Sequence, residues 1–286
     1  MIRLSAFADE ASESVEEQIK ALHRNRIPYI EVRALDGVNV SKVSEEDAKK
    51  YAARFAEEDI RVWSIGSPLG KIEIDCDFEE YKKTVRHVCR LAQIFNTDKI
   101  RIFSFFEAYG SEAKVFAYLQ EMVDIAKEYG VTLYHENEKK IYGDTVERVL
   151  RIYENVKGIK LIYDPVNYIE VGADPTEALN ILYGSVGYFH VKDMISDSKI
   201  HVPAGLGDGK IDNIVERIGD TDAVLTLEPH LMVFKGFAEI DGGELNTRFS
   251  FADGNAAFDA AAEAMRKILA DKGYVFNTEK KGFERI

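Results

Sequence analysis

Glu136, Asp164, His190 and Glu228 are of the residue types that grip a divalent cation. Each lies at the carboxyl end of a short apolar run, in VTLYHEN, IKLIYDP, VGYFHVKD and AVLTLEPH. Three carboxylates and one imidazole brought together form a hard, mostly oxygen ligand set, which favours Mn²⁺ or Mg²⁺ while the imidazole keeps Zn²⁺, Co²⁺ and Fe²⁺ open. A divalent ion would neutralise most of that negative charge; without a cation, mutual repulsion would force some carboxylates to take up protons. One ionic residue at a strand end usually answers to a loop hydrogen bond. Four at the ends of successive runs are harder to assign to separate structural roles. Four protein ligands also leave two adjacent positions of an octahedral shell open, which the carbonyl and hydroxyl oxygens of a sugar could fill.

For those residues to meet, the runs that carry them must be strands whose ends converge. Eight β-like runs recur along the chain, IRLSAF, YIEVR, RVWSI, KIRIFSF, VTLYHE, KLIYD, VGYFHV and AVLTLE, and amphipathic stretches separate them. Phe78, Tyr81, Val85, Val88, Ala92 and Phe95 repeat at helical spacing, as do Val115, Tyr118, Met122, Ile125 and Tyr129. Ser14, Ser44 and Asp77, each three residues before an acidic residue, read as helix starts, and Asp174-Pro175 reads as an N-cap followed by proline at the first helical position. The alternation predicts an α/β protein, a single-domain (β/α)8 TIM barrel over residues 1–273 with a polar, disordered tail at 274–286. In such a barrel active sites lie at the carboxyl ends of the strands. An open, dinucleotide-binding sheet would need a glycine-rich loop after the first strand. The chain has SAFADEASESVEE there, without glycine.

Composition narrows the function. At 286 residues with 46% hydrophobic and 30% charged, the chain is long enough for one large core. Its formal net charge of −13, with Lys and Arg scattered, argues against a nucleic-acid partner. Two cysteines, Cys76 and Cys89, exclude a disulfide framework and point to a reducing, cytoplasmic setting. No signal-peptide layout or membrane-length apolar run is present, so no membrane association is expected. The Phe-rich stretch from Pro229 to about Gly254 (MVFKGF, RFSF) is read as a lid or as the contact of a homo-oligomer.

At its four acid and imidazole positions the chain resembles the xylose-isomerase-like TIM-barrel superfamily, the sugar (phosphate) isomerases and epimerases related to ketose 3-epimerases. The likeness spans roughly residues 2–272 and is carried by the Glu of HEN, the Asp of YDPVN, the His of FHVKD and the Glu of LEPH. It implies that Glu136, Asp164, His190 and Glu228 hold one metal ion, with Glu136 and Glu228 also serving as the acid/base pair on opposite faces of a bound sugar or sugar phosphate. The implied chemistry is proton abstraction beside a carbonyl that the metal polarises. Return of the proton to the opposite face epimerises; return to the neighbouring carbon interconverts aldose and ketose. Three sugar-grasping positions of ketose 3-epimerases differ: Tyr142, Asn167 and Ser196 replace a Glu, a His and an Arg, which speaks against a free ketohexose. Related trinuclear-zinc endonucleases need histidines where this chain has Ser64, Ser104 and Asn167, which removes that reading.

The main alternative is a metal-dependent dehydratase of a keto-sugar or keto-cyclitol; a carbohydrate binder without turnover is a third. A dehydratase needs a general acid near the departing hydroxyl. Lys192, His201 and His230 are candidates, and Lys192 is best placed, two residues beyond His190 on the same strand face. Substrate contacts are further expected from Asn167, Asn137 and Glu138, and from Glu31, which either touches substrate, orients a ligand or pairs with Arg33 or Arg101. Lys139 and Lys140, and the glycines of HVPAGLGDGKID, are weighed as anion contacts against solvated lysines and an ordinary turn. His135 alternates away from Glu136 and is read as packed, His23 and His87 as surface residues, and Trp63 as core.

Overall fold

All eight apolar runs form strands in a computed structural model that describes residues 1–233 and 249–286. They are β1 (Ile2–Ala6), β2 (Tyr29–Val32), β3 (Arg61–Ile65), β4 (Lys99–Ile102), β5 (Thr132–Glu136), β6 (Lys160–Tyr163), β7 (Val186–Val191) and β8 (Ala223–Leu227). From β2 to β8 each pairs in parallel with the next, β8 pairs in parallel with β1, and β1 lies against β2, which closes the barrel. The stretch expected to form a lid or oligomer contact lies largely outside the described residues.

Strand alternation decides what fills the barrel. Tyr134, Ile162, Tyr188 and Val224, one from each of β5 to β8, form an interior cluster with Trp63, separate from the larger core between strands and helices. Two residues further along β5 and β7, Glu136 and His190 face the same interior nearer the carboxyl ends. A polar layer therefore sits on an aromatic floor. That floor keeps water away from one side of the site.

The outer helices bury the faces that their periodicity marks. In the helices Phe78–Ile94 and Glu112–Glu128, Phe78, Val85, Val88, Ala92, Val115, Met122 and Ile125 are buried. Ser44 and Asp77 accept the backbone N–H groups of Asp47 and Glu80 as caps, and Asp174 accepts those of Thr176 and Glu177. Ser14 differs. It occupies the cap position of α1 (Val15–Arg24) without a side-chain cap bond, and Asp36 Oδ1, from the loop after β2, accepts the Val15 N–H at 2.9 Å instead.

The tail expected to be disordered is a hairpin, β9 (Tyr274–Asn277) and β10 (Gly282–Arg285), whose second strand meets the start of β1 with Phe283 opposite Ile2. Its polar composition hid three aromatic residues that alternate into one face: Tyr274 and Phe283 are buried, and the Phe276 and Phe283 rings meet at 5.2 Å. No helix among the described residues is long and apolar enough to cross a membrane.

Candidate metal centre

The ends of β5 to β8 deliver Glu136, Asp164, His190 and Glu228 to one buried cluster, in which one ligand atom from each lies within 4.8 Å of all the others. His190 stands at its middle. Nδ1 is 2.9 Å from Glu136 Oε1 and 3.1 Å from Glu228 Oε2, while Nε2 is 3.3 Å from Glu31 Oε2. Glu31 also accepts from the Tyr188 hydroxyl at 2.8 Å. Of the three roles open to Glu31, this contact matches the orienting of a candidate ligand. The Phe7 ring meets the imidazole edge-on at 5.2 Å.

Each carboxylate divides its oxygens between the cluster and the scaffold. Glu136 turns Oε1 to His190 and gives Oε2 to Arg101 Nη1 at 3.1 Å. Glu228 turns Oε2 to His190 and gives Oε1 to Arg33 Nη1 at 3.0 Å. Asp164 accepts the N–H groups of Val166 and Asn167 on Oδ1 at the start of the short helix Pro165–Glu170, which leaves Oδ2 to the Lys192 ammonium at 3.1 Å. Arg33 is fastened in turn by Asp9 and Glu10, and both guanidiniums lie on the Phe7 ring, 4.4 and 4.9 Å from its centroid. Sequence reasoning placed neither arginine on a ligand and missed Asp9 and Glu10 altogether. The adjacent acids directly after β1, ahead of the first long helix, were the available signal.

These residues fit a divalent cation. Asp164 Oδ2 and Glu228 Oε2 are buried and accept no hydrogen bond, although Lys192 and His190 stand close to them out of alignment. An acceptor met only by such misaligned charges in a dry interior gains from a cation that meets it directly. The electrostatics agree. For Glu136, burial works to raise the pKa, but His190 and Arg101 prevail and bring it to about 2; for Glu228, burial is likewise overcome, chiefly by Lys192 and His190, and its pKa falls well below the usual carboxylate range. Asp164 is pushed up to about 7 because burial outweighs Lys192. Burial opposes charge on His190 too, yet Glu136 and Glu31 hold its pKa well above the ordinary value. The ring of oxygens draws positive charge inward from whatever carries it.

Around this centre lie the other expected contacts. Asn167 donates to the Asn137 carbonyl at 2.7 Å and reaches Glu136 Oε1 at 3.5 Å. Asn137, expected to touch substrate, spends both ends of its amide on the Asp164 backbone, at 3.0 and 3.1 Å, and so braces β5 against β6. His230, in the left-handed region at φ 46°, is buried beside Glu10 and Glu228, 3.6 and 3.5 Å from Nε2, with His201 next to it at a ring distance of 5.7 Å. Burial, then Lys192, lowers His230 to about 4. Glu138 pairs with Lys71 at 2.7 Å, Lys139 with Glu170 at 2.7 Å, and Lys140 is exposed. The glycines of HVPAGLGDGKID are not an open anion cradle: the N–H groups of Gly205, Gly207 and Gly209 all donate to the Asp193 carboxylate. A side chain of this chain already serves as their anion.

His135 is buried outside the barrel lumen, hydrogen-bonded to Ser104 Oγ at 2.9 Å, and burial lowers it to about 3. Its folded pKa lies below the unfolded value of about 6.5. The neutral ring therefore contributes stability in full above that value, and the contribution is lost as pH falls toward 3. Replacing His135 by Gln should flatten the fall in melting temperature between neutral pH and pH 4.5; an unchanged profile would clear this residue of the acid sensitivity.

A model of the xylose isomerase-like TIM barrel family matches residues 19–268. Among solved structures, the probable 3-DHS dehydratase AsbF of Bacillus anthracis superposes with a TM-score of 0.72 at 17% identity, over 93% of this chain and 99% of that one. An L-ribulose 3-epimerase gives 0.71 at 18% identity over 98% and 97%, and the IOLI protein with a bound zinc atom gives 0.70 at 16% over 94% and 98%. No curated protein matches the chain. Identities this low establish a shared fold and nothing finer.

Proposed function

Because the chain belongs to the xylose isomerase-like TIM barrel family, we propose that it is a divalent-metal-dependent sugar or sugar-phosphate isomerase or epimerase, moving a proton on a carbon beside a carbonyl. The observation that carries this reading is the pair Glu136 and Glu228, flanking His190 with one oxygen each turned into the cluster and the other held by a buried arginine. The metal, Mn²⁺ by preference for this oxygen-rich set with Zn²⁺, Mg²⁺ and Co²⁺ as alternatives, supplies Lewis-acid polarisation of the carbonyl.

The chain's own residues supply the rest. His190 and Arg101 keep Glu136 ionised and Lys192 and His190 keep Glu228 so, and either can accept a proton at neutral pH; the same charges disfavour the protonated carboxyl and promote its onward delivery. General acid–base action of this kind is worth roughly 10²–10⁴ in rate. Glu31 and Tyr188 fix the imidazole of His190, and Asn137 and Asn167 fix the β5–β6 end, so the proton-transfer groups need little reorganisation. Buried walls exclude water that would quench a carbanion. Lys192, His201 and His230 are proposed to contact substrate oxygens. Both cysteines are free, in keeping with a cytoplasmic setting.

A second reading, a dehydratase of a keto-sugar or keto-cyclitol, is favoured by one observation: a buried ammonium, Lys192, beside two of the candidate ligands, where it could protonate a leaving hydroxyl. Incubation in D2O with Mn²⁺ and a panel of ketoses, aldoses, their phosphates and keto-cyclitols separates the readings. Isomerase or epimerase action places deuterium beside the carbonyl without loss of water. Loss of one water from any panel member would establish the dehydratase, and neither signal across the whole panel would count against both.

A further inference from the structure

Three buried side-chain cations stand over the carboxylates of the candidate metal centre, and they do not stand on equivalent atoms. Arg33 and Arg101 engage Glu228 Oε1 and Glu136 Oε2, the oxygens turned away from His190. Lys192 alone sits among the inward atoms, 3.1 Å from Asp164 Oδ2 and 4.0 Å from Glu228 Oε2. Asp164 has no second oxygen to offer, because Oδ1 accepts the N–H groups of Val166 and Asn167 at 2.8 and 3.2 Å. A divalent ion ligated by Asp164 and the Lys192 ammonium therefore require the same oxygen.

We propose that Lys192 is an internal competitor for the divalent ion: its ammonium and the ion exclude one another at Asp164 Oδ2, and ion binding swings the lysine off that oxygen. This rests on the metal centre proposed above. The chemistry of the side chain suits the part. An ammonium on four methylenes is a compact charge on a flexible stem, and it can leave one oxygen for another without breaking a planar, two-point contact of the kind that fastens Arg33 to Asp9. The position suits it as well. Lys192 follows His190 by two residues, so it projects from the same face of the chain at the end of β7, and it is only 6% exposed. Ion affinity is thereby set below what three carboxylates and an imidazole would give alone.

The test reads metal binding alone. Mn²⁺ is titrated calorimetrically into chelator-treated wild type and into Lys192→Met, Lys192→Gln and Lys71→Met, with circular dichroism to confirm folding. The two lysine-192 variants differ in polarity, so that one folded variant suffices. Lys71 serves as the control cation, because it is bound to Glu138 at 2.7 Å rather than to a candidate ligand. Removing a competitor should tighten Mn²⁺ binding by on the order of tenfold or more, and Lys71→Met should stay within about threefold of wild type. Unchanged or weaker binding by the lysine-192 variants overturns the proposal, as does an equal gain in Lys71→Met, which would reveal only a diffuse charge effect. Wild type that takes up no divalent ion sinks the metal centre itself, a result distinct from wild type that binds with the lysine-192 variants no tighter.

Discussion

Glu228→Gln is expected to cut solvent-deuterium exchange into substrate by about 10³-fold or more while leaving the protein folded. Glutamine keeps the length and volume of the side chain, and its carbonyl can still accept from Arg33 Nη1, now 3.0 Å from Oε1. The amide cannot accept a proton in turnover, and it replaces an anionic candidate ligand with a neutral one. The usual danger in neutralising one partner of a buried ion pair is the charge left behind, worth about 3–5 kcal/mol. Here Arg33 keeps Asp9 at 2.8 Å and Glu10 at 3.3 Å, so the melting temperature should fall by only a few degrees. Glu228→Ala, which also opens a cavity and leaves the Arg33 bond unmade, should fall further. Exchange in Glu228→Gln above a tenth of the wild-type rate would remove Glu228 from the proton path.

The barrel and its candidate ligands were legible because both rest on short-range regularities. A parallel strand with helices on one side and a filled lumen on the other is apolar along its length, and an acid at the end of such a run stands out, as Asp164 does after KLIY. Four such residues need only be counted. The residues that tune them carry no local sign. Arg33 reaches Glu228 across 195 positions, which only closure of the barrel makes neighbours, and Arg101 reaches Glu136 across 35, through the pairing of β4 with β5. Glu31 was recognised as inward-facing, but its partners, Tyr188 and His190, come from the opposite side of the lumen. The C-terminal hairpin was lost for another reason: charged residues dominate its composition, whereas three spaced aromatics decide its burial. Asp193 shows the converse case. Glycines that read as a place for a foreign anion already bind an anion of the chain itself, and only coordinates reveal that the donors are taken.

Removing divalent ions with a chelator is expected to abolish exchange and to lower the melting temperature, with both effects reversed by Mn²⁺ and neither reversed by Na⁺ at equal ionic strength. The charge pattern requires the reversal to be specific. Six buried carboxylates, Asp9, Glu10, Glu31, Glu136, Asp164 and Glu228, of which burial raises Glu10 to about 8 and Asp164 to about 7, face the side chains of Arg33, Arg101 and Lys192. A proton on His190 offsets part of the excess, and a divalent ion ligated by that imidazole must displace the proton, so uptake of the ion should release acid and weaken as pH falls. An ion present at a hundred times its dissociation constant stabilises the fold by about 2.7 kcal/mol. For a domain of this size each kcal/mol moves the midpoint by roughly 2–4 °C, so a shift of about 5–10 °C is expected. Screening by monovalent salt cannot imitate this, because the acceptors that matter are buried in the barrel. A melting temperature indifferent to chelator and Mn²⁺, in a protein freed of bound metal, would leave the cluster as a self-sufficient salt-bridge network and end the case for metal-assisted proton transfer.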